Sequence, residues 1–374
     1  MTDDAALLPP LRLHLTKGLG PLTARRLLDR FGDPEGVLAA RPEEWMTVPG
    51  VGPKLTAALS EARRCDAAER ELARCRRENV RVLTLGGDGY PEDLANTPDP
   101  PLVLYCRGEM LERDRLAVGI VGSRSGTLYG RQMAERFARE LARAGVTVVS
   151  GLARGIDAAA HKGALEAGGR TLAVIAPGLA NLYPPDHVDL ARDIVAAGAV
   201  LSESPLDRKP TAGLFPQRNR IIAGLSTGVM IIEAARNSGA LHTARHAQEQ
   251  NREVFVLPGR ITDPSAAGCL DLIREGATLV RGTEDVLEAL GPLASSVKLE
   301  DESGGQTVNS VRELALSELE RSVLQHVPED PCPQDSVLAA CGLPAHQALS
   351  TITVLEMRRF VRRLPGGQIV RVPA

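Results

Sequence analysis

Six short Val/Ile-rich runs dominate residues 115 to 290: "RLAVGIVGS", "VTVVSG", "RTLAVIAPG", "AVLSES", "VMIIEA" and "EVFVLPG". None alternates apolar with polar residues, so neither face of these elements is made to meet water. Strands of that kind need cover on both faces. Helical stretches such as "GRQMAERFARELARAG" and "GALHTARHAQEQ" lie between several of the runs. Together they predict an α/β core with a parallel, doubly wound sheet. Ligands of such sheets gather at the carboxyl ends of the strands. Each apolar stretch gives way to Gly, Ser, Pro or an acidic residue, so the loops there are the expected site.

The flanks read differently. Residues 11 to 62 consist of short helices separated by Gly-x-Gly turns, with "KGLGPLTARRLL" matching "VPGVGPKLTAAL". The glycines permit tight turns and the prolines suit first helical positions. This resembles a tandem helix-hairpin-helix unit, which either offers backbone amides to a phosphate or only packs. "EARRCDAAERELARCRRENVR" follows and predicts one long helix with a solvated, mixed-charge face. Near the other end, "GPLASSVKLEDESGGQTVNSVR" is polar and Ser/Gly-rich, a linker. Beyond it, "LSELERSVLQHV", "PQDSVLAACG" and "PAHQALSTITVLEMRRF" predict three helices. "VRRLPGGQIVRV" predicts a hairpin turning at Gly366–Gly367. That set resembles a winged helix. The expected domains are 1–80 (helical), 81–291 (Rossmann-like core), 292–312 (linker) and 313–374 (winged helix).

Composition bounds the function. The formal net charge of −3 creates no global field for nucleic acid, so any anion site is a local patch. Aromatics are 3% of the chain, which confines base stacking to one or two rings. The six cysteines form no C-x-x-C pair and read as reduced thiols. No charged-then-apolar leader opens the chain and no apolar run of about 18 residues occurs, so a cytoplasmic protein without a membrane partner is expected.

Three segments concentrate positive charge where ligands are expected. In "GIVGSRSGTLYG", Gly122 lets the backbone turn, Ser123 and Thr127 carry hydroxyls, Arg124 is a fixed charge, and the following helix offers N-terminal amides to an anion. The segment matches neither a P-loop nor a dinucleotide fingerprint. In "SGLARGIDAAAHKGAL", Ser150, Gly151 and Gly155 form a permissive loop, Arg154 adds charge, and Asp157 is placed to cap a helix. An Asp157–His161 relay is conceivable, although no nucleophile stands beside it. The third segment, "LFPQRNRIIAGLS", sits in a span from Arg208 to Ile232 that has no acidic residue but contains Lys209, Arg218 and Arg220. Residues two apart on a helix face different ways. Arg218 and Arg220 can therefore serve one ligand only if the helix begins near Asn219, a good N-cap. Phe215 would then be a platform for a base. The alternative buries Phe215 and pairs one arginine, Arg220 before Arg218, with Glu203 or Glu233.

Other signals are weaker. His242 and His246 have a zinc-ligand spacing, but "HTARH" lacks the glutamate of a metalloprotease helix and reads as a solvated face. Cys269 in "SAAGCLDLI" reads as a small buried residue.

"YPEDLANTPDPPLVLYCRG", "VGSRSGTLYG", "SGLARGIDAAAHKGAL", "FPQRNRIIAGLS" and "EAARNSGALHTARHAQEQNREVFVLPG" occur in an order and spacing that resembles the DprA/Smf family, the DNA-processing proteins of natural transformation. The resemblance covers roughly residues 85 to 290. It implies an extended Rossmann-type core that binds incoming single-stranded DNA, protects it and helps load the RecA recombinase. It further implies a homodimer that needs no metal or nucleotide cofactor. Carried over residue by residue, the strand-binding loops are Gly122, Ser123 and Arg124; Ser150, Gly151 and Gly155; and Phe215, Arg218, Asn219 and Arg220. The sequence departs from the family pattern at Ile175–Ala180, at Tyr183–His187, and at Cys269, which replaces an asparagine.

Two other functions compete. A nucleoside-monophosphate phosphoribohydrolase on the same core would carry P-G-G-x-G-T-x-x-E. "ARNSGALHTARHA" has neither the double glycine nor the glutamate. An adaptor role for the flanking domains, toward duplex DNA or protein partners, is compatible with strand binding.

Overall fold

The structure, a computed structural model, describes residues 4–294, 316–328, 331–358, 360–364 and 367–371. They divide into two compact units, Met1–Thr283 and Glu284–Ala374.

The first unit begins with six helices, α1 (Asp4–His14), α2 (Pro21–Phe31), α3 (Pro34–Ala39), α4 (Pro42–Trp45), α5 (Pro53–Ala62) and α6 (Ala67–Arg77). Gly18 and Gly50 adopt φ of +86° and +95°, and Pro21 and Pro53 open the helices that follow. The two Gly-x-Gly turns thus form as expected. The single long helix expected over 61–81 does not. The chain breaks at Arg63–Asp66, and α6 buries Ala68, Leu72 and Cys75 at helical spacing. Charge density had masked that stripe. These residues join Leu11, Trp45 and Leu59 in a core that continues through Val103, Tyr105, Ala173 and Ile175, so the helical region and one sheet face share one interior.

The nine strands are β1 (Arg81–Thr84), β2 (Val103–Gly108), β3 (Ala117–Gly122), β4 (Thr147–Ser150), β5 (Thr171–Ile175), β6 (Ala199–Ser202), β7 (Gly228–Ile232), β8 (Glu253–Val256) and β9 (Thr278–Leu279). Their order is β1-β2-β6-β5-β4-β3-β7-β8-β9. Strands β3 to β8 are the six apolar runs, all parallel. The first two strands extend the sheet antiparallel beyond β6. The chain leaves β3 toward β4, β5 and β6 on one side, then returns to place β7 against β3 on the other. The order therefore reverses between β3 and β7, the switch point at which doubly wound sheets bind ligands.

Helices α8 (Leu128–Arg143), α9 (Ile156–Glu166), α10 (Val188–Ala197), α11 (Leu214–Gly224), α12 (Ala240–Glu249) and α13 (Ala267–Arg274) follow the strands, after a short α7 (Glu92–Ala95). A second interior, with Val121, Val149, Val174, Ile221, Ile222 and Ile231, fills the other sheet face. Cys269 is fully buried there, its sulfur accepting the Ala234 N–H at 3.3 Å.

The second unit contains helices Glu318–Gln325, Gln334–Ala340 and Ala345–Met357 and the antiparallel strands β10 (Cys332–Pro333), β11 (Val361–Leu364) and β12 (Gln368–Arg371), ordered β10-β12-β11. Ser317 and Glu320 form a reciprocal capping box at the first helix. Val323, Val337, Ile352, Leu355, Val361 and Ile369 make its core. Three helices and a small sheet are the expected winged helix. Gly366 of the expected hairpin turn lies outside the described residues, and so does the expected linker beyond Ala294, where a helix from Thr283 ends. Among the described residues no single helix is long and apolar enough to cross a membrane.

His161 on α9 lies fully buried, its Nδ1 2.7 Å from the Thr171 hydroxyl, which itself donates to the Val148 carbonyl at 2.8 Å. The imidazole is thus the donor, protonated at Nδ1. Burial lowers its pKa to about 3. The unfolded chain takes up a proton on this ring near pH 6.5 and the folded chain does not, so stability falls as pH drops below that value. At pH 4.5 the difference reaches roughly 3 kcal/mol. His161→Gln should flatten the urea-midpoint profile between pH 7 and 4.5 by a comparable amount; an unchanged profile would place the proton uptake elsewhere.

Candidate nucleic-acid interface

A cleft of about 950 Å³ opens at the carboxyl ends of the strands, at the switch point. Val121 to Ser125 bring β3 to it, Ala153 and Asp157 the turn after β4, and Tyr183 the turn after β5. Pro210 to Asn219 follow from β6, and Ala235 to Thr243 from β7. With Pro264 and Ser265 from beyond β8, six segments distant in sequence therefore line one cleft.

In the β3 loop, Gly122 closes the strand, and a side chain there would strike the Ile232 carbonyl and Ile156. The Ser123 N–H donates to the Glu233 carbonyl at 2.9 Å, and its hydroxyl accepts from the Ser125 N–H at 3.2 Å. The expectation that α8 offers its N-terminal amides to a ligand needs correction. Thr127 caps the Gly130 N–H at 3.1 Å, the Thr127 N–H donates to Glu233 Oε2 at 2.7 Å, and the Thr127 hydroxyl binds Glu233 Oε1. The protein's own carboxylate occupies the positive end of the helix. Glu233 holds it from a left-handed backbone, φ +50°, a strain a glutamate sustains only when its surroundings fix it. The loop's own positive charge is Arg124. That side chain is exposed, and its guanidinium carbon sits 4.9 Å above the centre of the Phe215 ring.

In the β4 loop, Ser150 is fully buried and its hydroxyl donates to the Ile120 carbonyl at 2.6 Å, which leaves it outside the cleft. Gly155, at φ +80°, lies against the carbonyls of Ser123 and Arg124, so only a residue without Cβ lets the two loops close together. Arg154 points to solvent and pairs with Asp186 at 2.6 Å. Asp157 acts within its own loop: Oδ2 accepts the N–H groups of Gly151 at 3.2 Å and Ala153 at 3.3 Å. Burial raises its pKa, with nearby Arg218 and the amides opposing. His161 bonds to Thr171 instead, so the structure forms no Asp157–His161 relay.

The third segment corrects the expected helix start. α11 begins at Leu214, with Gly213 as N-cap, so Asn219 is interior to the helix and not its cap. Arg218 and Arg220 then face opposite ways. Arg220 turns from the cleft to a second hollow, which Pro216 and Arg218 also line, its Nε 3.0 Å from Asp99 and its Nη2 2.6 Å from Glu203. The ion-pair alternative holds for this arginine. Arg218 lines the cleft, only 6% exposed, and its Nη1 donates to the carbonyls of Gly151, at 2.7 Å, and Val174. Its Nε has no partner among the described residues. Burial lowers its pKa to about 10, so it stays protonated at neutral pH. Gly151 has no side chain because that guanidinium fills the space. Asn219 Nδ2 donates to the Gly239 carbonyl at 3.2 Å and so ties α11 to the β7 loop. Phe215 is half-buried at the cleft, and Lys209 is exposed just before the lining residue Pro210.

Sequence reasoning missed two contributors. Tyr183 meets Phe215 edge-on, ring centres 6.0 Å apart, although the divergent turn after β5 gave no reason to include it. Asn237, Ser238, Gly239 and His242 line the same cleft. The strand order, read as a switch point, would have pointed to that β7 loop. His246 instead meets Glu249 at 3.2 Å, and among the described residues no group is arranged to hold a metal.

Comparison with known proteins follows the same division. Residues 81–291 match the model of DNA recombination-mediator protein A, 311–367 a DprA winged helix domain, and 14–64 a SAM-like helix-hairpin-helix tandem. Protein Smf of Synechocystis is 34% identical over 95% of this chain and 96% of its own length. Protein Smf of Escherichia coli is 38% identical over 80% of each. The structure of DNA processing protein A from Streptococcus pneumoniae superposes with a TM-score of 0.65 at 33% identity, over 75% of this chain and 95% of that one. DNA processing protein A from Helicobacter pylori, described for its single-stranded DNA binding mode, gives 0.51 at 33% identity, over 56% and 95%. On the core, both flanking domains and near-full-length relatives alike, the chain belongs to the DNA recombination-mediator protein A (DprA/Smf) family.

Proposed function

We propose that this chain binds single-stranded DNA in the switch-point cleft and acts as a recombination mediator, without catalysing a reaction. The observation that carries the reading is the pairing of an exposed Arg124 over the Phe215 ring with a buried, protonated Arg218 at the same cleft. Exposed cation, aromatic ring and deep positive charge are the elements that hold a phosphate backbone and a base without reading sequence. Ser123, Asn219, Tyr183 and His242 complete the lining and Lys209 stands exposed just before it, whereas Arg220 and Ser150 support it from behind. The Helicobacter pylori relative, described for single-stranded DNA binding, favours the same reading. A hydrolase on this core finds less support. The one carboxylate lining the cleft, Asp157, is bound by two amides, and Thr243 is buried where that chemistry wants an acid.

The family resemblance extends the proposal to a cytoplasmic homodimer that helps load the RecA recombinase, with the flanking domains meeting duplex DNA or protein partners. The helix Ala345–Met357 carries no lysine or arginine, which favours a protein partner over duplex binding by that helix.

Two measurements test the site. With about four phosphate contacts, log K should fall with log salt at a slope near −3, from roughly 0.7 per phosphate on a single strand. Arg124→Glu should weaken binding to every oligonucleotide sequence alike and make that slope shallower by about 0.7 or more; unchanged affinity would remove Arg124 from the interface. Arg218→Leu leaves two carbonyls and Asp157 uncompensated and should cost about 3 to 5 kcal/mol of stability along with strand affinity. Arg220→Leu should lower the melting temperature through Glu203 and Asp99 while the folded protein keeps its affinity. Equal loss of binding in both variants would contradict the assignment of Arg220 to the far side of α11.

A further inference from the structure

The hollow that receives Arg220 lies where the first Gly-x-Gly turn of the helical region meets α11 and the loop after β6. It holds about 600 Å³, within the roughly 300 to 1,000 Å³ of small-molecule sites. Leu19, Ala24, Ile175 and Leu214 give it apolar walls, and Arg220 with two carboxylates gives it one polar end. The Arg220 side chain is only 5% exposed, yet its Nη1 has no partner among the described residues. Its Nε engages Asp99 Oδ2 and its Nη2 engages Glu203 Oε1, so the second oxygen of each carboxylate stands outside the pairing. Glu203 keeps 24% of its side-chain surface open, and it is held by Nη2, the nitrogen beside the unpartnered Nη1. A buried donor and a reachable carboxylate oxygen therefore stand next to each other.

One guanidinium facing two carboxylates gives this end no attraction for an anion. A buried donor left without a partner is unfavourable, so the fitting occupant brings it an acceptor. That occupant must also be neutral, apolar on its faces, and able to donate to the carboxylate beside it. Guanine has such an edge, with O6 next to N1–H and N2–H, whereas adenine has only its amine there. At the mouth, Arg208 lines the hollow and is exposed, without an acid partner among the described residues. Its guanidinium matches a phosphate. We propose that the hollow binds a free guanine nucleotide, with O6 on Arg220 Nη1, the N1–H and N2–H groups on Glu203, and the phosphate on Arg208. The site does not depend on the single-strand reading, although the hollow shares Pro216 and Arg218 with the cleft. A ligand there touches both the helical turn and α11, so it fastens the helical region to the core.

The test is calorimetric titration of the full-length chain with GMP, inosine monophosphate and AMP. GMP should bind once per chain and raise the melting temperature as its concentration rises. Inosine monophosphate, which lacks the N2 amine, should bind roughly tenfold more weakly, and AMP more weakly still. Glu203→Gln should remove most of the difference between GMP and inosine monophosphate, a ratio that any general loss of stability leaves in place. Arg208→Ala, at an exposed position, should weaken GMP roughly tenfold and leave guanosine unchanged. A saturating oligothymidylate should not displace GMP, and neither should the same strand carrying one guanine. Equal affinity for the three nucleotides, or GMP affinity unmoved by Arg208→Ala, would overturn the site. Displacement by the oligothymidylate would put GMP in the switch-point cleft, and displacement by the guanine-bearing strand alone would make the seat the strand's own; either overturns a site for a free nucleotide. A chain that binds the oligothymidylate but no GMP refutes this site and leaves the single-strand reading standing.

Discussion

A guanidinium buried where two parallel strands end holds this cleft in shape. Arg218 reaches from α11 and donates to the carbonyls of Gly151, just past β4, and Val174 in β5. Taking such a charge out of water is unfavourable unless its donors are met and a counter-charge stands near. The carbonyls and Asp157 supply both, and Asp157 in turn fixes the amides of the β4 loop. Gly151 gives up its side chain to make room. Loop, strand ends and helix are thereby locked into one arrangement, with positive charge left at the cleft floor.

The distribution of charge around that bolt explains how a chain with a net charge of −3 can offer a local anion site. The positive end of α8 is already neutralised by Glu233, which stiffens the β3 loop against the sheet. Arg154 and Arg220 are paired with Asp186 and with Asp99 and Glu203. Of Arg124, Arg154, Arg218 and Arg220, Arg124 alone stands exposed without an acid among the described residues, and it stands over the cleft's aromatic residue. In the proposed reading, side chains and not the helix dipole hold the phosphate.

The fold was largely legible because its signal is the strongest kind. Continuous Val/Ile runs separated by helical stretches admit few architectures, and β3 to β8 fall on all six runs. What stayed hidden was set by tertiary packing. The start of α11 could not be read from Asn219, because a good capping residue was also a good interior tie to Gly239. The direction of Arg220 depended on Asp99 and Glu203, remote in sequence. Ser150 looked available in a Gly-rich loop, yet its hydroxyl serves the Ile120 carbonyl. Tyr183 entered the site through a turn whose sequence departs from the family pattern, so neither motif nor periodicity marked it. The apolar stripe of α6 was short and lay under arginines and glutamates.

The proposed reading makes one claim: a single strand lies in the cleft between the β3, β5, β6 and β7 loops, with a base beside the aromatic pair. Photocrosslinking of the full-length chain to an oligonucleotide carrying 5-iodouracil, followed by peptide mapping, tests it most directly, because that base reacts with the aromatic ring it stacks on. The account predicts adducts at Phe215 or Tyr183. Adducts confined to the helical region before residue 80 or to the winged helix, with none at either ring, would contradict it.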